Sequence, residues 1–418
     1  MENRYDKYKD SGIAWIGEIP EHWEVIKIKN AFNIISGATP KTDNMAYWDG
    51  EITWITPADY NTEDKIISSG KRNITLAGLN SCGTSIVPEG SIIFSKRAPI
   101  GLVAINVVPL CTNQGCISCI PKPSVNTKYF YYLMSVLTEW FELFGSGTTF
   151  KELSTNNFAN FILSQPLILE QQSIAAYLDQ KCGEIDELIT LQEEMITKLQ
   201  SYKQSVITEA VTKGLNKNVP LKDSGIEWIG KIPEHWTLKR IKNICDNLDY
   251  LREPISAEHR SRNNPIYDYY GASGVIDKID FYNVDDQVLL IGEDGANLVM
   301  RNLPLVYKAN GKFWVNNHAH ILKPKNDNYD FCAYAFEAAD YSLFITGSAQ
   351  PKLSQENLGR IKIAIPPFLE QQAIVNYLDK RCSEIDELIS IKQQKIEKLK
   401  EYKKSLIFEC VTGKRKVS

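Results

Sequence analysis

Long apolar runs are missing from this sequence of 418 residues. None approaches the roughly 18 residues or more that a membrane span requires, and the first ten residues are too charged for the core of a signal peptide. An excess of basic charge is missing too. The 47 Lys plus Arg face 51 Asp plus Glu, a net charge of −4, which excludes a histone-like protein held on nucleic acid by its own counterion release. No Gly-x-x-x-x-Gly-Lys-Ser/Thr occurs, so the chain carries no P-loop motor. Nine cysteines are few and odd in number, which argues against a disulfide framework and for a reduced, cytosolic setting. Cys111, Cys116 and Cys119 contain one Cys-x-x-Cys, but a structural zinc needs a second pair of comparable spacing; free thiols in strands are the simpler expectation, and no metal is assigned. What remains is an ordinary globular composition, 43% hydrophobic and 23% charged, long enough for two to four domains at roughly 100–200 residues each.

An internal repeat organises the chain. Asp10-Ser-Gly-Ile-Ala-Trp-Ile-Gly-Glu-Ile-Pro-Glu-His-Trp23 returns as Asp223-Ser-Gly-Ile-Glu-Trp-Ile-Gly-Lys-Ile-Pro-Glu-His-Trp236, differing only at Ala14/Glu227 and Glu18/Lys231. A second block, Glu170 to Ile189, returns at Glu370 to Ile389 with 14 of 20 positions identical. The stretches between, 24–164 and 237–364, share almost nothing. Like frames holding unlike inserts are expected when two copies share an assembly geometry but recognise different things. His22 and His235 lie in the repeated frame, where packing beside tryptophan is the expected role.

The second block has the pattern of a long helix, from about Leu169 to Lys213 and again to Gly413. Apolar residues at alternating spacings of three and four place Ile174, Leu178, Ile185, Leu188, Leu199 and Tyr202 on one seam. Ile374, Leu378, Ile385, Leu388, Leu399 and Tyr402 form its counterpart. Gly214 and Gly413 are expected to end the helices, and Pro166 and Pro366-Pro367 to precede them. Residues 165–214 carry four basic and eight acidic side chains, whereas 365–418 carry eleven and eight; helices of opposite net charge with matching seams are expected to pair with each other. The inserts read as mixed α/β. Strands are expected at Glu51–Thr56, Ser91–Ser95, Val103–Val108, Ile117–Ile120, Gln287–Ile291 and His320–Leu322, with helices over Tyr129–Phe144 and Phe331–Phe344.

The doubled frame, the repeated Glu-Gln-Gln-x-Ile-x-x-Tyr-Leu-Asp helices and phrases such as Ser95-Lys-Arg-Ala-Pro-Ile-Gly101 and Gly347-Ser-Ala-Gln-Pro-Lys-Leu353 resemble the DNA-specificity subunit of type I restriction–modification systems, over essentially the whole chain. The resemblance implies an α+β protein with an internal pseudo-twofold duplication, its two mixed α/β target recognition domains separated by two long antiparallel coiled-coil helices. The segments would be 1–165, 166–214, 215–364 and 365–418. It implies that each domain reads one half of a bipartite site on double-stranded DNA. Two methyltransferase subunits would dock, joined for restriction by two motor–nuclease subunits, in the cytoplasm and without any membrane role. Adenine N6 methylation and cleavage would belong to those partners, with S-adenosylmethionine, ATP and Mg bound there and no cofactor in this chain. A helix pair fixes half-site spacing, since one inserted turn shifts its ends by about 5.4 Å.

Two rival readings are a self-contained adenine methyltransferase and a coiled-coil adaptor whose inserts bind protein. The methyltransferase needs an Asn/Asp-Pro-Pro-aromatic loop. Asn264-Pro-Ile-Tyr267 lacks the second proline, Ile365-Pro-Pro-Phe368 lacks the polar residue, and Ile291-Gly-Glu-Asp-Gly-Ala296 lacks a spaced cofactor fingerprint; a turn and a helix start account for them. No catalytic residue is assigned.

Base reading needs Arg or Lys for guanine and Asn or Gln for adenine, presented on loops. In the first insert the candidates are Lys96, Arg97, Thr112, Asn113, Gln114, Thr148 and Lys151. In the second they are Arg260, Arg262, Asn264, Ser273, Asn316, Asn317, His318, Ser348, Gln350 and Lys352. His318 and His320 lack a third and fourth metal ligand nearby, so contact with a base or phosphate, or simple hydrogen bonding, is favoured. Charge is balanced within each insert, 11 against 11 in 24–164 and 15 basic against 16 acidic in 237–364. That balance suits a reader that discriminates while its partners supply most of the electrostatic grip.

Overall fold

The computed structural model describes residues 4–60, 65–146, 151–260, 265–347 and 349–417. The chain divides into two compact units, Met1–Gln192 with Gln394–Ser418, and Glu193–Gln393. Each unit therefore holds one insert, the first half of one long helix and the second half of the other. Among the described residues no helix is long and apolar enough to cross a membrane.

The first unit is built on an antiparallel pair, β1 (Glu24–Lys27) and β7 (Ile162–Gln165), whose register sets Glu24 opposite Gln165. The two ends of the insert are thus neighbours, and what lies between them is a cassette. Within it β2 (Phe32–Ser36), β3 (Ile66–Ile67), β4 (Ile92–Ser95), β5 (Val103–Asn106) and β6 (Cys116–Pro121) form one sheet in the order β2-β6-β4-β5-β3. All four residues of β4 are buried, as befits a central strand of continuous Ile-Ile-Phe-Ser. Cys111, Cys116 and Cys119 are free thiols in strands, and burial pushes the first two up to about 12.

Helix α1 (Thr127–Ser135) is capped by the Asn126 side chain, which accepts from Tyr129 N. It is shorter than the sequence pattern suggests. Fully buried Leu137 leaves helical backbone angles, and a separate helix, Thr138–Leu143, follows.

The second unit repeats this plan. Strands β8 (Thr237–Arg240) and β13 (Lys362–Ile365) pair as β1 and β7 do. Strands β9 (Cys245–Asn247), β10 (Val288–Gly292), β11 (Val306–Ala309) and β12 (Ala319–Pro324) lie in the order β9-β12-β10-β11, the order of β2-β6-β4-β5. Helix α3 (Tyr329–Ala338) corresponds to α1. The expected helix to Phe344 stops early because Asp340 Oδ1 accepts from Ser342 N and starts a separate turn.

The repeated blocks are conserved between the copies because they touch. Trp23 and Trp236 are completely buried. Glu170 accepts from Trp23 Nε1 at 3.1 Å and His22 Nε2 at 2.9 Å, and Glu370 accepts from His235 Nε2 at 2.8 Å. Gln171 and Gln371, both buried, accept from Asn126 N and Asn328 N and so fix the starts of α1 and α3. Asp179 and Asp379 accept from Tyr132 and Tyr334, each at 2.7 Å.

The long helices are α2 (Ile168–Lys213) and α4 (Phe368–Val411). Gly214 and Gly413 follow them with φ of +71°, the left-handed stop that a residue with a Cβ resists. In the first unit Lys403 pairs with Asp186 at 2.6 Å while Gly413, past the end of α4, lies beside Trp23, which donates to Glu170 at the start of α2; in the second Lys203 pairs with Asp386 at 2.7 Å while Gly214 lies beside Glu370 at the start of α4. The two helices run antiparallel in both units.

Their seam differs from the sequence expectation by one residue at alternate positions. Ile174, Leu178, Ile185, Ile374, Leu378 and Ile385 are buried, and Leu199 and Leu399 are half-buried. Leu188, Tyr202, Leu388 and Tyr402, expected on the seam, are instead 43%, 49%, 48% and 52% exposed. Cys182, Ile189, Ile196 and Lys203 take the inward places, with Cys382, Ile389, Ile396 and Lys403 their counterparts. The reason is geometric. A heptad spaces its first seam position three residues before the second, whereas the sequence assignment began with four at Ile174–Leu178 and so ran one residue early from there.

Candidate functional site

At the carboxyl end of β4 the chain turns into Lys96-Arg97. The turn is closed by Ser95, whose Oγ donates to Pro99 O and accepts from Leu102 N. Two neighbours hold its backbone: Lys96 N donates to Gly115 O and Leu153 N to Lys96 O, each at 2.8 Å. The first tie brings in the turn after Thr112, where Asn113 Oδ1 accepts from Gly115 N at 2.8 Å. The second brings in Lys151 and Glu152. Glu152 accepts from Lys96 Nζ at 3.0 Å and Arg97 Nε at 2.9 Å. Burial alone would raise its carboxyl, but those hydrogen bonds hold it below the ordinary range.

Lys96, Arg97, Asn113, Gln114 and Lys151 are therefore gathered at one place. Gln114, exposed, accepts from Thr39 Oγ1. Thr112 is buried, with its carbonyl accepting from Thr84 Oγ1 and Ala38 N. It positions the turn instead of facing outward. Thr148 lies outside the described residues.

The second unit builds the same cradle from different side chains. At the carboxyl end of β10 stands Glu293, whose N–H donates to His318 O at 2.9 Å and whose carbonyl accepts from Leu353 N at 2.7 Å. Asn316 Oδ1 accepts from His318 N at 2.8 Å, as Asn113 Oδ1 does from Gly115. Lys96 thus corresponds to Glu293, Arg97 to Asp294, and Glu152 to Lys352, whose Nζ lies 3.0 Å from Glu293. These three charges are inverted between the cradles, while Lys151 is matched by the uncharged Pro351.

A network backs this second cradle. Arg252 bonds Glu293, and His320, wholly buried, bridges Asp249 Oδ2 at 2.6 Å and Leu353 O at 2.8 Å. Burial opposes the ionised forms of Asp249 and Glu293, yet bonds from His320 to the one and from Arg252 and Lys352 to the other hold both below the ordinary carboxylate range. His318 Nδ1 donates to Asp294 Oδ2 at 2.7 Å.

Asn317, His318, Gln350 and Lys352 are exposed around the cradle. Ser273 joins them, since the adjacent Ala272 carbonyl sits so close to Gly292 that a Cβ there would strike it. Asn316 is buried and shapes the turn. Arg260 is engaged by other partners, 4.2 Å above the Tyr269 ring and 3.0 Å from Asp277. Arg262, Asn264 and Ser348 lie outside the described residues.

Sequence reasoning passed over Glu152, Asp249, Arg252, Glu293 and Asp294; for His320 it left base or phosphate contact and simple hydrogen bonding open, and the wholly buried ring makes the hydrogen bonds. One signal was available: Lys96-Arg97 and Glu293-Asp294 each follow a strand of mostly apolar residues, and each is followed later by a strand with an asparagine, Asn113 or Asn316, just past its end. Among the described residues no group of three His, Cys, Asp or Glu is placed to hold a metal ion.

A cradle built twice on one frame, with unlike side chains, is the organisation of a two-module recognition protein. At residues 20–200 and again at 233–401 the sequence matches the type I restriction modification DNA specificity domain, and the chain belongs to that family. It is a type I specificity subunit, a DNA-recognition component that is not itself catalytic. It is 30% identical to the type I restriction enzyme MjaIX specificity subunit of Methanocaldococcus jannaschii, over 96% of this chain and 95% of that one. Its fold is similar to a solved chain from work on complex assembly and conformational transition of the type I R-M system, with a TM-score of 0.71 and 15% identity over 94% and 98% of the two chains. The HsdS subunit of Thermoanaerobacter tengcongensis is also similar, with a TM-score of 0.51 and 16% identity over 94% and 98%.

Proposed function

We propose that this chain reads a bipartite DNA site, one half per unit, and directs adenine N6 methylation by two bound methyltransferase subunits and restriction by two motor–nuclease subunits in the cytoplasm. The observation that carries the reading is the pair of cradles. Their backbone hydrogen bonds are equivalent, yet Lys96, Arg97 and Glu152 of one are Glu293, Asp294 and Lys352 of the other, a swap that a shared structural role does not require and that suits a difference in target. Phosphate contacts cannot distinguish sequences, so side chains at strand ends and loops must do so through base edges. S-adenosylmethionine, ATP and Mg belong to the partners in this reading.

The long helices serve as spacer and dock. Helix α2 has 46 residues and α4 has 44, so each spans about 65–70 Å at ~1.5 Å per residue. Leu188 with Leu191 in the first unit, and Leu388 with Ile391 in the second, are exposed apolar pairs pointing away from the seam. Equivalent pairs on the two copies suit two copies of one partner.

Methylome sequencing of the host with the gene intact and deleted tests this reading. The expected result is a motif of two specified parts flanking an unspecified gap, present in the first strain and lost in the second. A continuous motif, or one that survives deletion, would contradict it.

A further inference from the structure

Resting on that proposed function, the geometry points to Arg97 as the residue that reads a guanine in the half-site of the first unit, with Glu152 as its positioning residue. Arg97 stands at the end of a fully buried strand, on a turn tied at both sides by backbone hydrogen bonds, so its Cα is fixed by the fold. Its side chain is 46% exposed. Glu152 takes the Nε hydrogen at 2.9 Å, and among the described residues the two terminal nitrogens have no partner. A guanidinium held by its inner nitrogen presents its outer pair as a planar fork. That fork matches the O6 and N7 acceptors of guanine in the major groove, and no other base offers two adjacent acceptors there.

The second unit shows that the fold does not demand this side chain. In the equivalent cradle the position of Arg97 is Asp294, which accepts from His318. A carboxylate cannot make the guanine contact, so the two units are built to differ at this place. Lys96 is a poorer candidate, since its side chain is only 12% exposed and its ammonium is spent on Glu152. Lys151 is exposed, but with no partner among the described residues its flexible ammonium is suited to phosphate.

The test uses the full chain with its methyltransferase partners in a host free of other adenine methylation. Arg97→Ala is expected to relax one G·C position by about tenfold or more, within the half-site that changes when residues 24–164 are exchanged, and to leave the other half-site untouched. Placing 7-deazaguanine at that position removes the N7 acceptor; it should weaken binding of the unaltered complex and have no effect on the Arg97→Ala complex. Should the variant methylate nothing, selection of bound duplexes from a randomised library reads the same positions. A relaxed A·T position, an unchanged motif, or equal sensitivity of both complexes to 7-deazaguanine would overturn the inference. If exchanging 24–164 alters neither half-site, the proposed function fails; if the exchange alters one and Arg97→Ala relaxes no guanine in it, only this inference fails.

Discussion

Gly37→Ala is expected to lower the unfolding midpoint of the first unit and to abolish methylation of its target. Gly37 follows β2, where the chain passes against the turn that carries the first cradle. A Cβ there would overlap the carbonyl oxygens of Thr112 and Asn113 and the Thr112 hydroxyl. Backbone atoms cannot swing aside as the end of a long side chain can. Relieving the overlap would part Ala38 N from Thr112 O, now 3.0 Å apart, and loosen the bond from Trp54 Nε1 to Ala38 O at 3.1 Å. Overpacking of this kind costs about 3 kcal/mol, a fall on the order of 6–12 °C for a unit of this size. The same displacement moves Gly115, whose carbonyl holds Lys96 N, and with it Arg97. Gly183→Ala is the control. It lies on an exposed helix face with nothing near its missing Cβ, and should raise stability by about 0.5–1 kcal/mol. Calorimetry of the two variants, with methylation assayed beside it, measures the contrast.

The second large effect distinguishes the observed helix seam from the one the heptad assignment suggests. Ile185 is 5% exposed and packs in the core of the first unit with Leu178, Cys182 and Leu406. Ile185→Ala should destabilise by roughly 2–5 kcal/mol through lost burial and the cavity left behind. Leu188, three residues on and equally apolar, is 43% exposed, so Leu188→Ala should change the stability of the isolated chain by about 0.5 kcal/mol or less. Chemical denaturation of both variants settles the phase. In the proposed function Leu188 faces a partner, so its replacement should weaken assembly with methyltransferase subunits instead.

The frame was legible because repetition exposes constraint. Glu170, Gln171 and Asp179 recur at 370, 371 and 379 since each bonds the same kind of neighbour in both units. Strand and helix positions followed from apolar runs, and Gly214 and Gly413 marked where the helices stop. The seam phase was less legible. Its inward places include Lys203 and Lys403, whose stems lie along the seam while their ammonium groups reach Asp386 and Asp186. Tyr202 and Tyr402 competed for the same places by hydrophobicity alone.

The cradles were half legible. Arg97 and Gln114 stood out as donors on a turn, and His318 and Lys352 likewise. Glu293 and Glu152 did not, because a search for positive donors passes over the carboxylates that orient them. The equivalence of Lys96 with Glu293 could not be read from residue type at all. It rests on which backbone groups bond to which, and appears only once β4 and β10 are set side by side.

The central claim, that each insert reads its own half of a divided site, is tested most directly by exchange. The ends of the first insert are paired neighbours, Glu24 beside Gln165, so residues 24–164 can be replaced by the corresponding segment of another family member with the frame and helices left in place. Methylome sequencing of cells carrying the hybrid and its methyltransferase partners should show one half-site replaced, with the other half-site and the gap unchanged. A motif unchanged in both halves, or altered in both, would contradict the account.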